Sequence, residues 1–245
     1  MRLLRKPCAR GVREKLFNPW ASRDTHLHLR QVQVSRQISG LNENVMPEIT
    51  QDYIRNKLRI SEQSSSDSDV YAEMALKPDT RLKTAAVLLP LIYFRDEWHL
   101  LFTRRTDTVE SHKGQVSFPG GACDEGETTP EQTALREAHE EIGVEPDQVT
   151  LLGRLSRMIT VSSFKVSPIV GVIPWPYAFK VAGIEVARVF TIPLMWLANR
   201  DNYWEFSLGD PERSVIAYHP YDGELLWGAT ARMSVNFLRT IEVLK

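Results

Sequence analysis

Residues 120–144 read GGACDEGETTPEQTALREAHEEIGV, and the second half of this stretch predicts a helix with well-defined ends. Thr129 suits the N-cap, and Pro130 suits the first helical position. Gln132 completes a Thr-x-x-Gln capping box, in which each side chain binds the other residue's backbone N–H. Gly143 stands where a left-handed residue commonly ends a helix. The register of side chains on this helix therefore follows from local sequence.

The predicted helix, residues 130–142, has one apolar face and one acidic face. At about 100° per residue, its apolar side chains share one arc, and three carboxylates at i, i+3 and i+4 share another. Those like charges repel by roughly 0.2–0.5 kcal/mol per pair and oppose the helix dipole. A divalent cation would turn this repulsion into ligation, because hard cations take carboxylate oxygens. The apolar arc holds Ala134, Leu135, Ala138 and Ile142, and the acidic arc holds Glu137, Glu140 and Glu141.

An acidic helix face alone is more typical of a solvated surface. Here, however, a glycine-rich turn, FPGGACDEGE at 118–127, stands directly upstream. Its glycines let the backbone approach a ligand closely, and it adds the carboxylates of Asp124, Glu125 and Glu127. The combination favours a metal–phosphate site over a solvated face.

The composition is that of a globular protein. The chain has 245 residues, of which 42% are hydrophobic and 25% charged, and this excludes wholesale disorder. Its formal net charge of −1 conceals two unlike parts, because residues 1–45 carry +6 and the remainder carries −7. The acidic body argues against a nucleic-acid binder.

We predict three segments along the chain. Residues 1–45 form a basic tail that is disordered or reflects a misassigned start, with Met46 as the alternative start. As a further alternative, residues 1–36 are Arg-rich and poor in acid, as organelle presequences are. Residues 46–81 hold a helix near 50–60 and a Ser/Asp-rich linker, and residues 82–245 form the compact domain.

Cysteine content and hydropathy bear on location. Two cysteines, Cys8 and Cys123, cannot form a disulfide framework, so a reducing compartment is expected. The longest apolar run, Thr84–Phe94, is far shorter than the roughly 20 residues of a membrane span and contains Pro90. We therefore predict no membrane partner and a cytoplasmic location, or an organellar one if residues 1–36 are a presequence.

The pattern from residue 82 onward predicts an α/β domain with a mixed sheet. Thr84–Phe94 reads as a strand covered on both faces, and Trp98–Thr103 as its hairpin partner. A loop is expected over 104–127. Further strands are predicted at 149–155, 164–172, 186–191 and 214–218, and a closing helix at about 229–243.

The acidic stretch resembles the box of the Nudix hydrolases. That box reads Gly, five residues, Glu, seven residues, then Arg-Glu-aliphatic-x-Glu-Glu-x-Gly-aliphatic. Gly121, Glu127 and residues 136–144 match it, except that eight residues separate Glu127 from Arg136. The resemblance implies a Nudix-type α/β/α sandwich with a mixed β-sheet.

The sequence also resembles the coenzyme A pyrophosphatase branch of that family, both in this extra residue and in the segment ahead of the box. Its upstream pattern is Leu-Leu-Thr-x-Arg-Ser followed by an Arg, a Gly and Phe-Pro-Gly-Gly. Phe102 and Thr106 are mild substitutions, and Glu110 stands where the pattern has Arg. The resemblance covers about 82–245. The matching residues are Leu101, Thr103, Arg105, Gly114, Phe118, Pro119, Gly120 and Gly121.

The resemblance implies roles for individual residues. Glu137 and Glu141, with Glu140 beside them, would hold Mg²⁺ or Mn²⁺ with help from the Gly121 carbonyl, and Glu127 would pair with Arg136. The implied reaction splits coenzyme A or a derivative into 4′-phosphopantetheine and adenosine 3′,5′-bisphosphate. Glu185 is a candidate auxiliary base. The residues expected to bind the substrate are Thr103, Arg105, Gly114, Phe118 and Gly120.

Several alternatives stay open from the sequence. A Glu at position 110 would repel a phosphate, and Arg104, Arg105 or Lys113 could supply the compensating charge. The substrate could instead be ADP-ribose or a dinucleotide, or the chain could be a catalytically silent Nudix-fold regulator. The expected partner is a small molecule and not a nucleic acid, and a homodimer is possible.

Overall fold

The computed structural model of the protein describes residues 48–64, 81–107, 113–207 and 214–244. The predicted basic tail, most of the Ser/Asp-rich linker and Glu110 lie outside the described residues. The helices are α1 (Gln51–Ser64), α2 (Pro130–Ile142), α3 (Leu194–Ala198) and α4 (Gly228–Thr240). The strands are β1 (Lys83–Phe94), β2 (Glu97–Arg105), β3 (Val116–Ser117), β4 (Gly120–Ala122), β5 (Thr150–Arg154), β6 (Met158–Ile159), β7 (Phe164–Val172), β8 (Val186–Pro193), β9 (Tyr203–Ser207) and β10 (Ser214–Tyr218).

The long elements lie where the sequence pattern predicted them. Helix α2 has the predicted bounds, and β1, β2, β5, β7, β8, β10, α1 and α4 differ from prediction by a few residues at most at their ends. The predicted loop over 104–127 is wrong in part, because it contains β3 and β4. Strands of two or three residues are too short to show a period, so their pairing partners determine them.

Within the described residues, eight strands form one mixed sheet in which β1 is central. Strand β1 runs parallel to β7 and antiparallel to β2 and β4. Strand β8 extends the sheet beyond β2, and β5 and β6 extend it beyond β7. The pairing of β4 with the first half of β1 brings the glycine-rich turn onto the sheet.

Both faces of the sheet are covered by helices. On one face, Ala86, Leu88 and Ile92 of β1 pack in a core with Ala138 and Ile142 of α2. The opposite face forms a larger core with residues of α1, α3 and α4, which we call the α4-side core. It includes Ile54, Leu58, Leu197, Phe237 and Leu238. Successive residues of β1 alternate between these cores, as expected for a strand covered on both sides. The predicted α/β/α sandwich is confirmed.

Helix α1 is fastened to this core by more than apolar contact. Ile54 and Leu58 are fully buried, and the Tyr53 hydroxyl donates to the Ile241 carbonyl at 3.1 Å. The Trp98 indole donates to the Ile49 carbonyl at the chain entry into α1. None of the described helices is both long enough and apolar enough to span a membrane.

Candidate active site

Helix α2 presents the acidic face, and its ends are capped as its sequence predicts. The Thr129 hydroxyl accepts from the Gln132 N–H at 3.4 Å, and the Gln132 side chain accepts from the Thr129 N–H at 3.1 Å. Gly143 adopts φ 68° and its N–H donates to the His139 carbonyl at 2.9 Å. These caps fix which side chains face the sheet.

The three carboxylates of the acidic arc occupy different environments. Glu141 is only 5% exposed, the Glu137 side chain is 18% exposed, and the Glu140 side chain is 56% exposed. The arc is therefore not a solvated face. Glu141 is buried in the protein, whereas Glu140 lies at the surface.

Glu141 is a buried carboxyl group with incomplete hydrogen bonding. Burial, and then the neighbouring charge of Glu137, raise the pKa of Glu141 to about 8, whereas the charge of Arg105 and the Gly120 N–H act in the opposite direction. Its Oε2 atom is buried and has no hydrogen-bond partner among the described residues. Such an oxygen is a candidate ligand for a cation.

Glu137 lies directly against the glycine-rich turn. A Cβ placed on Gly121 would be 2.5 Å from the Glu137 carboxyl carbon, so the glycine makes room for this carboxylate. Burial raises the pKa of Glu137, while the hydrogen bond from Arg136 lowers it. Gly120 makes a different close approach, because its Cβ would lie 2.5 Å from the Ala86 carbonyl oxygen.

Arg136 joins the helix to the turn. Its Nε donates to Glu127 at 2.9 Å, its Nη1 donates to Glu137 at 2.8 Å and to Glu140 at 3.1 Å, and its Nη2 donates to the Ala122 carbonyl at 3.1 Å. The ion pair implied between Glu127 and Arg136 is thus present. Chiefly because of this pair, the pKa of Glu127 is lowered to about 2.

The carboxylate oxygens of this site are of the type that binds a hard divalent cation, although they are not arranged around a common point. In the part of the chain that the structure describes, no three His, Cys, Asp or Glu side chains come together at metal-binding distances. Arg136 donates through one nitrogen, Nη1, to both Glu137 and Glu140. Glu137 and the unpartnered oxygen of Glu141 are the oxygen donors that Mg²⁺ or Mn²⁺ would take.

Of the three candidate cations, Arg105 lies beside the carboxylates. It is close enough to Glu141 to lower that group's pKa, and its Nε is buried without a hydrogen-bond partner among the described residues. Arg104 instead lies near Glu224 at 3.5 Å and Asp107 at 3.4 Å. Lys113 is exposed.

The other residues expected to bind substrate serve the framework in this structure. Thr103 is fully buried, and its hydroxyl donates to the Ser117 carbonyl at 3.2 Å. Phe118 is 2% exposed and stacks on Phe102 in the α4-side core. Gly114 has φ 64° and approaches the Asp107 and Arg104 side chains. Direct substrate contact by Thr103 and Phe118 stays a prediction, and the structure shows that both side chains are packed in the framework next to the turn.

Glu185 is brought to the site by the segment that precedes β8. The Lys180 and Ala182 N–H groups donate to the carbonyls of Ile142 and Glu141, at 3.0 and 2.9 Å, which ties the segment to the end of α2. The charge of Glu185 raises the pKa of both Glu137 and Glu141. The sequence offered no sign of this tie, since backbone N–H groups are common to almost all residues.

A cavity of about 210 Å³ lies on the opposite side of the sheet. Its walls include Leu155, Met158 and Met233, which belong to the α4-side core. It is smaller than the roughly 300–1,000 Å³ usual for a small-molecule site. We assign it no part in the chemistry of the carboxylates.

Comparison with known proteins shows the family to which the chain belongs. The model of the NUDIX domain matches residues 82–190. The Nudix hydrolase NudL of Yersinia enterocolitica is 39% identical over 162 residues, which cover 65% of this chain and 82% of that protein. NudL of Escherichia coli is 36% identical over 152 residues, covering 61% and 78%. A MutT/nudix family protein from Enterococcus faecalis is 16% identical, with a TM-score of 0.45 over 76% of this chain and 73% of its own.

The chain belongs to the Nudix hydrolase family. It is a Nudix diphosphatase, an enzyme that hydrolyses a pyrophosphate bond. Nudix hydrolases generally use divalent metal ions.

Proposed function

We propose that this enzyme hydrolyses the pyrophosphate bond of coenzyme A or its derivatives, giving 4′-phosphopantetheine and adenosine 3′,5′-bisphosphate. The observation that carries the proposal is the segment over 101–121, which matches the coenzyme A branch and leads through β2, β3 and β4 to the acidic face. At the end of β2, Arg105 lies beside Glu141, and β4 carries Gly121 against Glu137. Residues at both ends of the branch-specific segment thus lie next to the carboxylates, which supports the proposal.

Glu137 and Glu141, with Glu140 beside them and the Gly121 carbonyl, would hold Mg²⁺ or Mn²⁺. When bound, the metal would offset charge on the pyrophosphate and lower the pKa of a water molecule. Arg136 donates to one oxygen of Glu137 and to one oxygen of Glu140, so the second oxygen of each carboxylate would bind the metal. Arg136 would then remain paired with Glu127, so the turn stays on the helix.

Arg105 would bind the negatively charged pyrophosphate, because a guanidinium forms paired hydrogen bonds with phosphate oxygens. Glu185, whose side chain is exposed at the site, would accept a proton from the attacking water. The water oxygen then bonds to one phosphorus, the bridging P–O bond breaks, and the second phosphate leaves with the bridging oxygen. Each product ends in a phosphate monoester.

Glu110 bears on the choice of substrate, because it replaces an Arg of the branch pattern. If residue 110 faces the substrate, Glu110→Arg lowers KM for coenzyme A by removing a repulsive charge. An unchanged KM would refute that placement. The charge of Arg105 beside Glu141 is the compensation that we propose for the missing Arg.

To test the proposed substrate, the purified protein is incubated with Mg²⁺ and with coenzyme A, ADP-ribose, NADH or dNTPs in turn, and the products are identified by mass spectrometry. We expect coenzyme A to give the highest kcat/KM and the two products above. Preferred turnover of ADP-ribose or NADH would support the alternative substrates. No turnover of any compound would support a silent regulator.

We also propose a cytoplasmic location, on the grounds that Cys123 is a free cysteine and that cysteine is scarce in the chain. Fusing residues 1–36 to a fluorescent protein tests the organellar alternative. Import of that fusion into an organelle would contradict the cytoplasmic proposal.

A further inference from the structure

We infer that Thr106 is a positioning residue that holds Glu185 at the carboxylate pair Glu137–Glu141. The inference rests on the proposed part of Glu185 in activating the attacking water. It assigns Thr106 a role in kcat, although its own side chain does not touch the reacting atoms.

Thr106 follows the last residue of β2 and makes two hydrogen bonds to the turn that precedes β8. Its N–H donates to the Glu185 carbonyl at 2.8 Å. Its hydroxyl donates to the carbonyl of the preceding residue, Ile184, also at 2.8 Å. Two donors of one residue thus bind two consecutive carbonyls, which restrains the direction of the backbone at Glu185.

The turn needs such a restraint because its side chains pack poorly. Gly183, Ile184 and Glu185 are exposed, and the Ile184 side chain is 83% exposed. The remaining ties run through Ala182, whose carbonyl accepts from the N–H groups of Glu185 and Val186, both at 2.9 Å. Without apolar contact, hydrogen bonds are the main means of holding this turn.

The same turn is tied to the acidic helix, because the Ala182 N–H donates to the Glu141 carbonyl at 2.9 Å. Glu185 stands near Glu137 and Glu141, and its charge raises the pKa of each of them. A change in the backbone direction at Glu185 would therefore move its carboxylate relative to this pair. The hydrogen bond from the Thr106 hydroxyl to the Ile184 carbonyl restrains that direction.

The test compares Thr106→Val, which keeps the shape but lacks the hydroxyl, with Thr106→Ser, which keeps the hydroxyl. We expect Thr106→Val to lower kcat by about tenfold or more with KM within roughly twofold, because misplacement of a reacting group acts on the transition state. Thr106→Ser should restore kcat. Thr160→Val is the matched control, because its hydroxyl also ties a turn, accepting from the Phe164 N–H at 3.2 Å, and its kcat should stay unchanged.

A double-mutant cycle with Glu185→Gln separates positioning from a general loss of structure. If Thr106 acts through Glu185, then Thr106→Val causes no further loss of kcat in the Glu185→Gln background. An equal loss in both backgrounds overturns the inference, as does wild-type kcat in either single variant.

Hydrogen–deuterium exchange gives a readout that needs neither metal nor substrate. In chelator-treated protein, amides of residues 182–186 should exchange faster in Thr106→Val than in wild type or Thr106→Ser, and equal exchange overturns the inference. If coenzyme A is not hydrolysed, the cycle is measured with whichever diphosphate of the panel is turned over. Failure of the coenzyme A proposal is then distinguished from failure of the role of Thr106.

Discussion

Two adjacent glycines in the glycine-rich turn should respond to alanine in opposite ways. A Cβ on Gly121 meets the carboxyl end of Glu137, which is the far end of a flexible side chain. A Cβ on Gly120 instead meets backbone, lying 2.5 Å from the Ala86 carbonyl oxygen and 2.6 Å from the Val87 Cα. The first contact can be relieved by moving a side chain, whereas the second requires β1 and β4 to separate.

The magnitude for Gly121→Ala follows from the distance. The new Cβ would be 2.5 Å from the Glu137 Cδ, which is roughly 1 Å short of ordinary van der Waals contact. The carboxylate must therefore move by about that amount, and a 1 Å displacement of a group at the reacting centre can cost about 100-fold in rate. We expect kcat to fall by about that factor while the melting temperature changes little.

Gly120→Ala, in contrast, should lower the stability of the protein. Forcing an extra carbon into a closely packed position costs about 1–3 kcal/mol, and each kcal/mol lowers the melting temperature by about 2–4 °C in a protein of this size. We therefore expect a clear fall in the melting temperature.

The assay is steady-state hydrolysis with Mg²⁺, together with thermal unfolding of both variants without metal. Gly121→Ala should also have little further effect in a Glu137→Gln background, since its proposed target is already lost. Wild-type kcat in Gly121→Ala would refute the reasoning. So would a loss of stability as large as that of Gly120→Ala.

Three further predictions concern α2, the turn and α1. Glu141→Gln should lower kcat by about two or more orders of magnitude. The metal-free melting temperature should not fall, since a neutral amide replaces a buried carboxyl group. Near-normal kcat would contradict the assignment of Glu141 as a metal ligand. The Arg136 ion pair lowers the pKa of Glu127 from 4.5 to about 2, so its stabilisation is present above about pH 4.5 and is lost as pH falls toward 2. Glu127→Gln should flatten that part of the curve of melting temperature against pH, and an unchanged curve would contradict the role of the pair. Leu58→Ala should cost about 2–5 kcal/mol in urea unfolding, because Leu58 is fully buried; an unchanged midpoint would show that α1 lies outside the cooperative core.

The sequence predicted the framework of the site more fully than its working surface. The capping residues placed α2 within its bounds, and the continuous apolar run of β1 indicated a strand covered on both faces of the sheet. The burial of Thr103 and Phe118 was not predicted, because a motif specifies residue types without stating which of them are buried. The contribution of Thr106 to the turn before β8 was likewise not predicted, since it depends on hydrogen bonds to the carbonyls of Ile184 and Glu185, which are distant in sequence.

By itself, the sequence determined the register of α2, the acidic arc and the glycine-rich turn in front of it. Capping, helical periodicity and the space left by glycine act over a few residues, so a short stretch is sufficient to specify them. Only the tertiary structure decided that Glu141 is buried while Glu140 is exposed, and that Arg105, not Arg104, lies near Glu141. Burial and the approach of charges depend on how distant strands pack against the helix, and no local pattern records that packing.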